Sequence, residues 1–304
     1  MSPVYLGIDV GGTASRWTVI DDAGALLARG AAPGATGHLF VPAEREKFER
    51  MIVEVASGVD PDLELAGIFA GVTGLGPQVQ DDAHALIGNA FGIAPERVST
   101  NDDMQLAYLA AFERGQGHMV SAGTGSIGLH IKADGSPIRV GGRGLLIDDG
   151  GSGTWIALKA LDELYRLIDM KGRPEGAEEL AAELYSACGG NSWDAVRGFV
   201  YGSDRGRIGA LAQVVAKAAS AGDPLAQKVL DQAVLELARL GQALLQRGGA
   251  LPLAYVGGII DLHPSIRPGL VAALPDAEVR FPKIDAALRA AQLARERAQT
   301  FRSS

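Results

Sequence analysis

The stretch GIDVGGTASRWTVID, residues 7–21, decides the fold of the N-terminal half. It predicts a strand over residues 5–9 that ends in a turn at Gly11, Gly12 and Thr13, and glycine-rich turns of this kind often bind phosphate. The common phosphate loops continue into a helix. Here the residues up to Ile20 predict a second strand instead, and a tight turn at residues 22–24 leads into a third. The glycine turn therefore joins two strands of a hairpin.

The same order of elements recurs in the second half of the chain. A predicted strand over residues 118–121 is followed by a second glycine turn, then by predicted strands over 127–131 and 136–140; the turn consists of Gly123, Thr124, Gly125 and Ser126. A glycine-and-threonine turn at the same corner of both hairpins indicates an internal repeat. Helices alternate with apolar strands after each set of three strands. The sequence therefore predicts an α/β protein made by duplication.

The remaining elements follow from hydrophobic periodicity and capping residues. Helices are predicted over residues 44–56, 78–90, 103–112, 154–168 and 225–246. Buried strands are predicted over 66–71 and 254–256, and a short strand over 97–100. Ser152 is expected to cap the helix at 154, and Asp223 the helix at 225, where Pro224 suits the first helical position. The apolar stripe of that last helix is interpreted as packing surface.

The bulk properties exclude several classes of protein. A chain of 304 residues suggests two domains, and a net charge of −8 argues against binding to nucleic acid. The single cysteine, Cys188, excludes a disulfide framework and a thiolate metal site within one chain. The start of the chain does not have the pattern of a signal peptide, and no apolar run is long enough to span a membrane. We therefore expect a cytoplasmic protein that binds neither membrane nor nucleic acid.

Two glycine turns in facing hairpins could hold one polyphosphate in a cleft. Glycine lets backbone N–H groups approach phosphate oxygens closely, and Thr13 and Thr124 can add hydroxyl donors. Asp9 precedes the first turn and has no basic partner close by in sequence. Its carboxylate could hold Mg²⁺ through water. The alternative is that Asp9 caps its own turn and the glycines serve backbone geometry alone.

Three further stretches carry candidate functional residues. In TNDDMQ, Asp102 and Asp103 lie where a strand meets a helix, so they either cap the helix or supply a general base. GGRGLLIDDGGSG, around Arg143, is interpreted as a binding loop rather than a tight surface connection. In YVGGII, the strand ends in two glycines, which is either a simple turn or bare backbone on which an adenosine could lie.

In combination, these stretches resemble the superfamily of actin, heat-shock chaperones and sugar kinases, most closely the N-acetylglucosamine kinase and BadF/BadG type. The resemblance covers nearly the whole chain. It implies two ribonuclease-H-like domains with a nucleotide cleft between them. The first would comprise residues 1–115 together with a C-terminal helix at about 284–304, and the second residues 116–283. The segment IGALAQVVAKAASAGDPLA also resembles one that this family places near the nucleotide.

The resemblance assigns roles to single residues. The ATP phosphates and adenosine would be bound by Asp9, Gly11, Gly12, Thr13, Gly123, Thr124, Gly125, Ser126, Gly257 and Gly258, with Mg²⁺ held by Asp9 through water. The general base would be Asp103, while Asp102 stands where relatives carry Asn or Thr. The sugar would be bound by Asp103, Gly142, Arg143, Gly144 and Asp149. The implied activity is ATP-dependent phosphorylation of the C6 hydroxyl of an amino sugar.

Three departures from the family pattern affect the sugar. Arg143 replaces an aromatic residue, as in some bacterial glucosamine kinases, Gly150 replaces Glu, and Gly37 replaces Asn. Arg143 would repel a protonated 2-amino group unless a carboxylate such as Asp148 lies between them, which favours N-acetylglucosamine, whereas the resemblance at Arg143 favours glucosamine. The choice between the two stays open.

Two rival functions remain within the same fold. A dehydratase-activating ATPase of the BadF type needs paired cysteines for an iron–sulfur cluster, and Cys188 alone does not meet that need. A sugar or nucleotide sensor without catalytic activity would not need the candidate base Asp103. The sequence leaves the oligomeric state open, with a homodimer among the options.

Overall fold

A computed structural model describes the backbone of residues 3–303 and the side chains of residues 3–300. The chain divides into two compact domains. The first comprises the chain up to Ala111 together with the segment that begins at Ile284, and the second comprises Phe112–Lys283. Within the described residues, no helix is long and apolar enough to cross a membrane.

The first domain contains a five-stranded sheet with the order β3-β2-β1-β4-β5. Its strands are β1 (Val4–Val10), β2 (Ala14–Asp21), β3 (Leu26–Pro33), β4 (Leu65–Val72) and β5 (Val98–Asn101). Strands β1, β2 and β3 form antiparallel hairpins, whereas β4 and β5 continue the sheet parallel to β1. Its helices are α1 (Pro42–Gly58), α2 (Gln80–Phe91), α3 (Asp103–Ala111) and the C-terminal α10 (Ala286–Ser303).

The second domain repeats this arrangement. Its sheet has the order β8-β7-β6-β9-β10, with two antiparallel hairpins followed by two parallel strands. The strands are β6 (His118–Ala122), β7 (Ser126–Ile131), β8 (Pro137–Gly141), β9 (Leu253–Val256) and β10 (Val279–Arg280). The helices are α4 (Gly153–Lys171), α5 (Glu178–Cys188), α6 (Trp193–Gly202), α7 (Arg205–Ser220), α8 (Pro224–Gly248) and α9 (Ile266–Ala273). The matching strand orders confirm the predicted duplicated α/β fold.

The predicted helix caps are present in the second domain. The Ser152 side chain accepts a hydrogen bond from the Trp155 backbone N–H, at the start of α4. Asp223 caps α8 by accepting from Leu225 and Ala226, and its second oxygen accepts from the Leu180 backbone N–H at 2.9 Å. Asp223 therefore links α5 to the start of α8 by hydrogen bonds. The bond to α5 was not predicted from the sequence.

Alanine and glycine determine how α10 packs on the first sheet. Gly7 in β1 has no side chain, and a Cβ there would fall on the backbone of Ala287 and Ala291. Ala287, Ala290 and Ala291 are buried on the facing side of the helix. Small residues on both elements therefore let α10 lie directly against the central strand.

The sequence-based expectations missed four helices and one strand. Helices α5, α6, α7 and α9 and the short strand β10 were not predicted. Helix α2 begins at Gln80 rather than at residue 78, because a 3-10 turn at Pro77–Val79 precedes it. The missed elements lie in the second domain, where α7 packs against α4, α5 and α8.

Candidate functional site

The first glycine turn lies at the carboxyl end of β1. It is held by its own hairpin, because the Gly11 N–H donates to the Ala14 carbonyl at 3.2 Å, and by a hydrogen bond of 3.1 Å from the Ala35 N–H to the Gly11 carbonyl. Gly12 and Thr13 are exposed, and a Cβ built on Gly12 has no neighbour within 4 Å. The backbone of this turn is therefore open to a ligand.

Asp9 lies near the end of β1, two residues before Gly11. Burial raises the pKa of its carboxyl group, the positive charge of Arg16 opposes that shift, and Asp285 adds to it. Arg16 stands directly opposite Asp9 in the β1–β2 register. Asp9 has no basic partner close by in sequence, but the hairpin places Arg16, seven positions away, opposite it.

Asp103 is the first residue of α3 and follows β5. Its Oδ1 accepts a hydrogen bond from the Met104 N–H at 2.9 Å, and Asp102 Oδ1 accepts from the same N–H at 3.0 Å. Both carboxylates therefore contribute to capping, as one of the two interpretations expected. This hydrogen bond uses Oδ1 of Asp103 and does not involve Oδ2.

The pKa of Asp103 is raised to about 6. Burial is the main cause, and the negative charges of Asp102 and Asp9 act in the same direction, while hydrogen bonds from Thr73 and Met104 oppose it. Thr73 directly follows β4, so three neighbouring parallel strands place Asp9, Thr73 and Asp103 at one edge of the sheet. A carboxylate with a pKa just below neutral suits a general base.

Gly37 lies in the loop after β3. A Cβ at Gly37 would lie 2.5 Å from the Leu75 Cα, and the Gly37 N–H donates to the Thr73 carbonyl at 2.8 Å. The backbone leaves no room here for the asparagine expected from the family pattern. The absence of that side chain is therefore built into the packing of this loop against the chain that follows β4.

The second glycine turn is braced by the start of α4. The Gly153 N–H donates to the Gly123 carbonyl at 2.8 Å, and Thr154 Oγ1 donates to the Thr124 carbonyl at 2.8 Å. Ser126 Oγ donates to the Gly150 carbonyl at 2.7 Å. A Cβ built on Gly123 still has no neighbour within 4 Å. The turn is therefore held by hydrogen bonds from the start of α4, and the space next to the Gly123 Cα is open.

An ion pair with one buried partner lies beside this turn. Asp149, whose side chain is 3% exposed, accepts a hydrogen bond of 2.5 Å from Arg205 Nη2, at the first residue of α7. A hydrogen bond from the Ser126 backbone also reaches the Asp149 carboxylate. Burial raises the pKa of Asp149, and the Arg205 charge opposes that shift. The predicted sugar ligand Asp149 is thus engaged by groups of its own domain.

The predicted substrate loop is ordered by charge pairs. Arg143 Nη1 lies 2.9 Å from Asp148 Oδ2, and Arg239 Nη2 of α8 lies 3.1 Å from Asp148 Oδ1. Gly142 and Gly144, on either side of Arg143, have φ angles of 66° and 95°, which residues other than glycine rarely adopt. Asp148 therefore holds Arg143, whose guanidinium is exposed, on a turn whose backbone favours glycine.

Gly150, which stands where the family pattern has Glu, lies beside the carboxylate of Glu236. A Cβ at Gly150 would lie 2.6 Å from Glu236 Oε2, and Glu236 pairs with Arg239 Nε at 2.9 Å. A glutamate at position 150 would therefore require the Glu236 side chain of α8 to shift. The space beside the loop is already filled by an acidic residue from a distant part of the chain.

The glycines after β9 lie beside the second turn. Strands β6 and β9 are parallel, with Ser121 opposite Val256, and a Cβ at Gly257 would lie 2.3 Å from the Ala122 carbonyl oxygen. Gly257 has φ of 101°, and Gly258 is exposed with no neighbour within 4 Å of its Cβ position. The two predicted nucleotide motifs of the second domain therefore meet at one edge of its sheet.

Each domain thus brings its own predicted residues together. The first assembles the glycine turn with Asp9 and Asp103, and the second assembles its glycine turn with Asp149 and Gly257. Sequence reasoning missed several residues that touch these groups or the substrate loop, among them Thr73, Thr154, Arg205 and Arg239. Their partners are 30 to 91 residues away in sequence. Only Arg205 had a signal nearby, since it lies just before the segment that resembles a nucleotide-proximal one.

No group of three or more metal-ligating side chains occurs among the residues whose side chains are described. Mg²⁺ usually keeps several waters and takes only one or two protein carboxylates beside substrate phosphates. A partly buried carboxylate at the end of β1, next to an open glycine turn, fits that mode of binding.

A sequence profile locates the chain among known proteins. The profile of the BadF/BadG/BcrA/BcrD ATPase family matches residues 6–286. The chain belongs to this family. The family resemblance noted from the motifs is therefore confirmed, and it extends over both domains.

Individual relatives carry related names. An N-acetylmuramic acid/N-acetylglucosamine kinase of Clostridium acetobutylicum is 26% identical over 75% of this chain and 82% of its own length. A glucosamine kinase of Vibrio cholerae is 29% identical over 53% of this chain and 54% of its own. A solved structure from Chromobacterium violaceum, provisionally named an N-acetylglucosamine kinase, has a TM-score of 0.75 at 24% identity, covering 96% of this chain and 98% of that one. The structural likeness supports the two-domain α/β fold.

Proposed function

We propose that the protein is an ATP-dependent kinase that phosphorylates the C6 hydroxyl of an amino sugar. The observation that carries the proposal is Asp103, a partly buried carboxylate with a pKa of about 6 at the edge of the first sheet. The first glycine turn and Asp9 lie at the same edge. Membership of the ATPase family and the kinase names of the relatives support the same activity.

In this proposal, Asp103 accepts the proton of the sugar hydroxyl as that oxygen attacks the γ-phosphate. General-base catalysis contributes about 10² to 10⁴ in rate, and most of the remaining catalysis comes from positioning and charge neutralisation. The Met104 N–H and Thr73 orient the carboxylate. The base is therefore held in place before the substrate arrives.

Each domain would supply residues that bind the nucleotide. Backbone N–H groups of the two glycine turns and the hydroxyls of Thr13 and Thr124 would donate to the phosphates. Gly257 and Gly258 would lie along the adenosine. Mg²⁺, when bound, would supply charge neutralisation at the phosphates, and Asp9 is the residue that would hold it through water.

The sugar loop leaves the acetyl group open. Asp148 lies 2.9 Å from the Arg143 guanidinium, so its negative charge offsets the repulsion that Arg143 would exert on a 2-amino group. The same guanidinium can donate to an acetamide carbonyl or to a hydroxyl. The loop is therefore compatible with glucosamine and with N-acetylglucosamine.

The experiment that tests the proposal measures ADP release with a panel of sugars. Purified protein with ATP and Mg²⁺ is assayed against glucosamine, N-acetylglucosamine, N-acetylmuramic acid and glucose, and the product is examined by ³¹P and ¹³C NMR. We expect turnover of at least one amino sugar with phosphate on C6. Turnover of glucose alone would overturn the amino-sugar assignment, and no turnover of any sugar would overturn the kinase.

The rival activities are less well supported. A dehydratase activator needs cysteines for a shared iron–sulfur cluster, whereas Cys188 is a buried residue at the end of α5. A sensor without catalytic activity would not need Asp103 as a base. Both rivals predict that the sugar panel gives no sugar phosphate.

A further inference from the structure

Arg205 is the basic side chain that the fold brings to the second glycine turn. It begins α7, and a Cβ on Gly125 would fall on its guanidinium, 3.1 Å from Cζ. A side chain at position 125 would therefore displace this guanidinium, which occupies the space above the Gly125 Cα. The charged group lies directly on the backbone that is proposed to bind phosphate.

The Arg205 guanidinium is bonded to Asp149 and is partly exposed to solvent. Asp149 is 3% exposed and bonds one terminal nitrogen of Arg205, whereas the Arg205 side chain is 44% exposed. An arginine has five N–H donors in a planar fork, and such forks suit phosphate oxygens. Among the described side chains, Asp149 is the only acid that pairs with this guanidinium, so donors remain available.

We infer that Arg205 contacts the phosphate groups of the nucleotide at the second glycine turn, and that Asp149 is a positioning residue that holds the guanidinium there. This inference rests on the proposed function for the identity of the nucleotide. It gives Asp149 a role on the nucleotide side in place of the predicted contact with sugar hydroxyls. It also explains why a carboxylate is buried behind the turn: the acid fixes a cation whose other face meets phosphate.

The helix that carries Arg205 offers a matched control. Arg207 lies two residues further along α7, and its guanidinium stacks over the Phe199 ring at 4.8 Å from the centroid. Arg205→Ala and Arg207→Ala therefore remove the same charge from the same helical turn, but only the first removes it from the glycine turn. Long-range charge effects on ATP would affect both variants alike.

The test compares the affinities for ATP and for adenosine by calorimetry. We expect Arg205→Ala to weaken ATP binding by about tenfold or more, since a hydrogen bond to a charged group is lost, while adenosine affinity stays within about twofold. Arg205→Lys should give an intermediate loss, and Arg207→Ala should change neither. Equal losses for ATP and adenosine, or no loss for ATP, would overturn the inference.

Arg205→Ala alone leaves the Asp149 charge buried without a partner and could prevent folding. The double variant Arg205→Ala/Asp149→Asn removes both charges and should show the same selective loss of ATP affinity. The single variant Asp149→Asn should weaken ATP binding less than Arg205→Ala and leave the KM for sugar unchanged. A raised KM for sugar with unchanged ATP affinity would make Asp149 a sugar ligand and overturn its positioning role.

The inference and the kinase proposal can fail separately. If the wild-type protein binds ATP but phosphorylates no sugar in the panel, the kinase proposal falls and the result for Arg205 stands. If the wild-type protein phosphorylates a sugar and Arg205→Ala binds ATP normally, the kinase proposal stands and the inference falls.

Discussion

The two glycine turns come from one repeated hairpin but have opposite electrostatic surroundings. The first turn lies beside two carboxylates, Asp9 and Asp103, whose pKa values are raised. The second lies against the guanidinium of Arg205. The strand orders of the two sheets match, so the difference comes from what packs behind each turn.

The turns also differ in how firmly they are held. The second is bonded to the start of α4 through Gly153 and Thr154, whereas the Gly11 backbone of the first is bonded to Ala14 of its own hairpin and to Ala35. A duplicated backbone therefore supplies two sites of similar shape. The elements packed around each copy place two carboxylates beside the first turn and a guanidinium beside the second.

The largest effect is expected at the base of the first domain. Asp103→Asn keeps the shape of the side chain but cannot accept a proton, so kcat should fall by at least ~10². The free energy of unfolding at pH 7 should not fall. The folded-state pKa of Asp103 is raised, so ionisation of the carboxyl disfavours the folded state as pH rises from about 4 to about 6, and Asn removes that charge.

Asp102→Asn is the matched control for this prediction, because it removes a neighbouring carboxylate that bonds the same N–H. It should retain most of the activity. Steady-state kinetics of both variants are required, with ATP affinity measured separately. Loss of activity in Asp102→Asn together with normal rates in Asp103→Asn would move the base by one residue.

The open faces of both turns can be compared by the same substitution. Gly12→Val and Gly123→Val place a side chain where the protein itself has no atom within 4 Å of the Cβ position. Each should weaken ATP binding by about tenfold or more, because the side chain blocks the approach of backbone N–H groups to phosphate. Calorimetric titration with ATP and with sugar is the measurement. Equal losses for both ligands would indicate that the fold, rather than the phosphate site, had been damaged.

The pH dependence of kcat/KM should reflect the ionisation of Asp103 in the first domain. The base must be ionised to accept a proton, and its pKa is about 6. The value of kcat/KM should therefore be flat near pH 7.5 and fall below pH 6, to about one tenth at pH 5. Initial rates across this range, with ATP saturating, test the profile. A profile that stays flat to pH 5 would exclude Asp103 as a base with this pKa.

The smallest expected effect concerns the brace behind the second turn. Thr154→Val removes the hydroxyl that donates to the Thr124 carbonyl while keeping the volume, and should lower the free energy of unfolding by about 1 kcal/mol. Thr13→Val, in the exposed first turn, should leave it within about 0.5 kcal/mol. Urea unfolding of both variants is the measurement. A larger loss in Thr13→Val than in Thr154→Val would contradict the difference in bracing between the turns.

The sequence by itself determined the duplicated hairpins and the caps. Local rules are enough for these features, since Gly11-Gly12-Thr13 and Gly123–Ser126 each lie between alternating strands, and Ser152 and Asp223 each directly precede a helix. The candidate base Asp103 was also visible, because a strand, two acids and a helix follow one another directly. These signals act over a few residues, which is the range over which sequence patterns specify backbone structure.

Only the tertiary structure decided the charges that surround the site. Arg16 reaches Asp9 through strand pairing, Thr73 reaches Asp103 through the order of parallel strands, and Arg205 reaches Asp149 across 56 residues. Electrostatic and hydrogen-bond partners are chosen by distance in space, and distance in space depends on the packing of whole elements. Helix α7, which carries Arg205, was not predicted at all, so neither was the cation that it presents to the second turn.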